Sequence, residues 1–133
     1  MGMPAPALLA SLLFVQPVTA GFSEDPAQAS IWLQQACRIQ QVGYSGGVPV
    51  DHTEFCTCFD RNLREASTDD VYRVFALGSQ GAVREQGLIE DWESARDTAA
   101  AEAGAMAPEV QASFTTILQS SLMACMNFSF QGE

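Results

Sequence analysis

The sequence predicts an all-α protein: a small four- to five-helix bundle stapled by two disulfides. Three observations point there. Apolar residues recur at helical spacing in several separate segments. No stretch sustains the period-two alternation of a half-buried strand. Four cysteines, Cys37, Cys56, Cys58 and Cys125, form an even set downstream of an export-type leader.

The leader is "MGMPAPALLASLLFVQPVTA", residues 1–20. Its apolar run, Ala5 to Val15, is shorter than the ~20 residues that span a bilayer. Val18-Thr19-Ala20 matches a small-x-small cleavage pattern, so residues 1–20 read as a secretory signal peptide. No Lys or Arg precedes the run, and a retained N-terminal anchor is the alternative. Residues 21–133 then make a single domain.

A first helix is expected from Asp25 to about Gln40. Pro26 suits the first helical position, where its missing N–H costs nothing. Ile31, Trp32, Leu33, Ala36 and Cys37 supply its apolar side. The next ten residues, "QVGYSGGVPV", hold three glycines and a proline and read as a loop, with Tyr44 a candidate partner contact. Asp51 and Glu54 form a capping-box-like pair for a second helix, with Val50 and Phe55 at staple positions. Phe55, Phe59, Leu63 and Ala66 make its buried stripe. A third helix starts after Ser67 or Thr68, its first turn acidic with Asp69 and Asp70, and Gly78 and Gly81 are expected to end or break it. A fourth runs from about Leu88 to Ala103, with Leu88, Trp92, Ala95 and Ala99 on one side. A last helix opens at Pro108 and turns Val110, Phe114, Ile117, Leu118, Ser121 and Cys125 inward. Trp32 and Trp92 are expected in the core. Phe128 and Phe130, in the tail "NFSFQGE", either fold back on the bundle or contact a partner.

The cysteines carry most of the chemistry. At roughly 100° per residue, Cys56 lies about 60° to one side of the second helix's stripe and Cys58 about 100° to the other. Their sulfurs diverge, so each is expected to bond a different helix. One reaches Cys37 and the other Cys125, and both such connectivities stay open. In the chain-entropy model the shorter loop is worth about 3 kcal/mol and the longer about 4 kcal/mol. The alternative is soft-metal or thiol-redox chemistry at His52, Cys56 and Cys58. His52 and Cys56 share a helix face, and Met123 and Met126 flank Cys125. Against it, Cys-x-Cys is not the usual zinc spacing, Glu54 and Asp60 disfavour a thiolate, and a histidine at a helix start is expected in solvent.

Other constellations are weaker. His52 is the chain's single histidine, and "GYSGG" around Ser45 is not a nucleophile elbow. The acidic pairs Asp69/Asp70 and Glu90/Asp91 sit where helix starts and solvated faces want acids. There is no lysine for a phosphate-binding loop. Sixteen acids against six arginines give a net charge of -10, which opposes nucleic acid and anionic lipid and favours a partner with a basic surface.

The layout resembles small exported proteins of unknown function common in alphaproteobacteria. The resemblance rests on Cys37 in "QQACRIQ", on "FCTCFDRNL" at 55–63, and on Cys125 in "LMACM". It implies a disulfide-stapled helical fold and no particular activity. The expectation is a non-catalytic protein of the periplasm or a secreted one, without cofactor or stable membrane insertion after signal cleavage. It would act on another protein as an accessory subunit, inhibitor or immunity-type binder.

Overall fold

The computed structural model describes residues 21–132, so the expected signal segment lies outside the described residues. The described residues contain no strand, and the fold is all-α, stapled by two disulfides.

Helix α1 spans Pro26–Ser45. The Asp25 carboxylate caps it, accepting the Ala27 N–H at 3.0 Å. Ala29, Trp32, Leu33, Ala36 and Cys37 are buried, whereas Ile31 is 54% exposed. The helix continues five residues beyond Gln40, against expectation. A Cβ at Gly43 would meet nothing within 4 Å, and the residue stays helical, because one interior glycine costs only about 1 kcal/mol. The stop comes at Gly46 and Gly47, both at positive φ (80° and 74°), where glycine is at home.

A 3-10 turn, Pro49–His52, precedes α2, Thr53–Ala66. The expected capping box belongs to this turn instead. Asp51 accepts the Val48 N–H at 2.9 Å, and His52 takes the N-cap position of α2. The expected staple is absent, since Val50 is 72% exposed. Phe55, Phe59 and Leu63 are buried as a stripe, but Ala66 is exposed.

Helix α3, Asp69–Val83, is capped by the Thr68 hydroxyl, which accepts the Val71 N–H. Gly78 and Gly81 do not break it. A Cβ on Gly81 would lie 2.7 Å from the Arg96 Cβ and 2.9 Å from its Cα. The glycine is there to let the backbone of α4 approach, not to end a helix. Helix α4, Trp92–Gly104, begins four residues later than Leu88, with Asp91 as its cap. The shift has a clear cause in Gln80, which is fully buried. Its Oε1 accepts the N–H groups of Leu88 and Ile89 at 2.6 and 3.2 Å, while its Nε2 donates to the Trp32 carbonyl and the Gln35 side chain, both at 2.8 Å. Residues 88 and 89 are thereby held as a strap across α1 and α3.

Two short helices finish the chain: α5, Pro108–Ala112, and α6, Phe114–Met123, interrupted at Ser113, whose hydroxyl donates to the Val110 carbonyl at 2.6 Å. A 3-10 turn, Met126–Phe128, follows. Helix α3 lies against α1 and α4, and α2 against α1 and α6. The residues just before α1 are fixed as well. Arg73 donates to the Phe22 and Ser23 carbonyls at 3.2 Å and pairs with Glu102, and the Phe22 ring meets Trp32 edge-on at 6.3 Å.

Candidate functional site

Helix α2 organises the chemistry-bearing residues. Its two cysteines leave on opposite flanks: Cys37 joins Cys56 and Cys58 joins Cys125, each pair 5.8 Å apart between Cα atoms. Of the two connectivities compatible with the sequence, the one with loops of 19 and 67 residues is present. All four sulfurs are used. The set His52, Cys56 and Cys58 therefore offers no thiolate to a metal and no free thiol for exchange. Among the described residues no three His, Cys, Asp or Glu side chains gather in a ligand-like group.

His52 departs from expectation. It is 1% exposed, because the C-terminal tail returns over it and lays the Phe130 ring edge-on at 5.2 Å. Its Nε2 lies 2.8 Å from the Gly46 carbonyl and donates to it, which leaves Nδ1 buried without a protein partner. Trp92 also departs: it is half-buried, not core, and lies between two guanidinium groups, Arg84 at 5.0 Å and Arg96 at 5.6 Å from its ring centre.

One polar cluster was invisible to pattern reading. Asp60, on the flank of α2, is 6% exposed. Its carboxylate accepts from the Tyr72 hydroxyl, from Ser30 Oγ at 2.7 Å and from Gln34 Nε2 at 3.1 Å. Burial and then the Asp60 hydrogen bond push the Tyr72 phenol well above its ordinary range. Three donors from α1 and α3 on one buried carboxylate set the relative position of three helices. The only sequence trace is the Ser30/Gln34 spacing on α1, which says nothing about what it faces.

The structure separates the three candidate partner contacts. Tyr44 stands 81% exposed on the last turn of α1, Phe128 is 44% exposed, and Phe130 is folded against His52 and Gly47. Tyr44 and Phe128 lie at the end of the molecule where α1 stops, α2 starts and the C-terminus returns. Val48, Val50 and Met126 are exposed at the same end, at 55%, 72% and 59%. Exposed Asp51 and Glu54 border them, and Glu54 lines one small hollow with Phe128.

A groove of about 570 Å³ runs from this end between α1, α2, α3, α4 and α6. Its walls are Phe59, Val74, Phe75, Phe114, Leu118 and Leu122, and small residues of α3 and α4 floor it. Gln40, Tyr44 and Arg96 are the exposed polar side chains along it. Nothing in the sequence marks this groove, because its sides come from five separate helices. No family model, no curated protein and no solved structure matches the chain.

Proposed function

We propose that the chain is a non-catalytic, exported binding protein that works by contact with another protein, as an accessory subunit, inhibitor or immunity-type binder. The observation that carries this reading is the exposed apolar end. Tyr44, Val48, Val50, Met126 and Phe128 remain in solvent although α2 and α3 bury their apolar stripes. Aromatic and methionine side chains of this kind serve as anchors at interfaces, and the bordering Asp51 and Glu54 favour a basic partner. Two closed disulfides fit residence outside the reducing cytoplasm. No helix among the described residues is long and apolar enough to cross a membrane.

A photo-crosslinking residue placed at position 128 in the native host tests the reading. A discrete adduct is expected there, absent from the same probe at Leu88, an exposed apolar residue between α3 and α4. Adding Val50→Asp should abolish it. Adducts of equal yield at both positions, or none at 128, would defeat the reading.

A further inference from the structure

Among the described residues, no hydrogen bond ties tail residues 129–132 to the body of the molecule. Their bonds stay within the tail: the Ser129 N–H donates to the Met126 carbonyl at 3.1 Å, and the Gln131 side chain donates to the Ser129 carbonyl at 3.0 Å. The half-buried Phe130 ring makes the contact with the body. It meets the His52 ring edge-on and passes so close to Gly47 that a Cβ there would lie 2.8 Å from it. The same Cβ would lie 2.7 Å from Asp51 Oδ2, so a carboxylate borders the seat of the ring. The closed seat also leaves a polar group unmet. Because the Gly46 carbonyl can only accept, His52 Nε2 carries the proton of the neutral ring, and the buried Nδ1 is an acceptor without a donor. Covering part of a phenyl ring and leaving a buried acceptor unmet are terms of similar size and opposite sign. The tail is therefore closed by a small margin.

We propose that this seat is a pocket for an aromatic side chain of the partner, and that the tail fills it in the free protein as a self-inhibiting strap. The inference rests on the reading of the apolar end as a binding surface and deepens it. The seat lies within that end, beside exposed Val48 and Val50. Phe130 shows what it accepts, a phenyl ring, and aromatic side chains seated in pockets are common anchors of interfaces. Charge decides what can displace that ring. Residues 126–132 carry no charged side chain. Asp51 accepts the Val48 N–H and makes no ion pair among the described residues, whereas Glu54 shares the Phe128 hollow with Arg61. A ring flanked by Arg or Lys keeps the apolar contact and adds to Asp51 an ion pair that the tail lacks. The partner is a protein segment that presents an aromatic residue between basic ones.

His52 is the chain's single histidine, so its ring signals in NMR report on the seat without interference. The probe is the acetylated, amidated peptide GRFRG, titrated into the disulfide-intact full chain. It should move the His52 signals saturably in Phe130→Ala, and bind about tenfold more weakly in the native chain, whose own ring competes. Phe130→Leu should fall between them, so the order of three chains carries the test rather than one variant. GRARG, of equal charge, should leave the signals in place. Asp51→Asn keeps an acceptor for the Val48 N–H and should weaken GRFRG about threefold. The proposal is overturned by equal affinity in the native and Phe130→Ala chains, by GRARG acting like GRFRG, by undiminished binding to Asp51→Asn, or by no saturable shift in any chain. An adduct at position 128 in the native host with no peptide binding would overturn the seat and leave the interaction reading standing. Peptide binding without that adduct would do the reverse.

Discussion

Helices α1 to α4 and helices α5 to α6 are held in different ways. In the first group the central side chains vanish from solvent: Leu33, Leu63, Tyr72 and Leu77 are each no more than 1% exposed. In α5 and α6 the one fully buried side chain is Ser121, and Val110, Phe114, Ile117, Leu118 and Leu122 are only half covered. Yet the final segment is tied down, because Cys125 is completely buried and bonded to Cys58. The lesson is that a covalent tie substitutes for packing where packing is incomplete. An incompletely covered helix, anchored at its far end, is also what leaves one wall of the groove in solvent.

The largest test of this contrast removes the tie. Replacing Cys58 and Cys125 with serine should cost about 4 kcal/mol in the chain-entropy model, against about 3 kcal/mol for the Cys37–Cys56 pair with its shorter loop. Hydrogen exchange should then show residues 108–128 opening first, with α1, α3 and α4 still protected. Uniform loss of protection would mean that α6 is packed as tightly as the rest.

A smaller effect is expected where the backbones of α3 and α4 come close. Gly81→Ala places a methyl against the backbone of Arg96 and should cost about 2 kcal/mol of unfolding free energy in denaturant titration, by overpacking between α3 and α4. Alanine is otherwise the better helix former, so a neutral or stabilising result would show that the two helices can separate freely.

The smallest concerns the buried carboxylate. Tyr72→Phe removes one donor from Asp60 and should cost about 1 kcal/mol at neutral pH. It should also change the alkaline limb. The folded protein holds the Tyr72 proton more tightly than the unfolded chain, so this contribution is complete below a tyrosine's ordinary pKa of about 10 and fades as pH rises above it. The variant should lack that part of the decline. An unchanged slope in urea melts above pH 10 would separate Tyr72 from alkaline unfolding.

Local signals proved legible where the answer is decided within one turn of helix. Asp25 with Pro26, Thr68 with its following acids, and Pro108 all start helices, because capping and proline geometry involve neighbours in the chain. Signals failed where a distant residue decides. Glycine at 81 reads as a break until Arg96 arrives beside it, and Leu88 reads as helix until Gln80 claims its N–H. His52 reads as a solvent-facing cap until the tail covers it with Phe130.

By itself, the amino-acid order determined that this is a helical protein with four cysteines and that Cys56 and Cys58 face opposite flanks of one helix. Those properties follow from a period of about 3.6 residues per turn and need no knowledge of neighbours. Tertiary structure alone decided which sulfur each meets, that Asp60 is buried among three donors, and that an apolar groove opens between helices. The reason is physical: a partner, a burial and a cavity are properties of surfaces brought together from distant parts of the chain, and periodicity within one element carries no record of what will be laid against it.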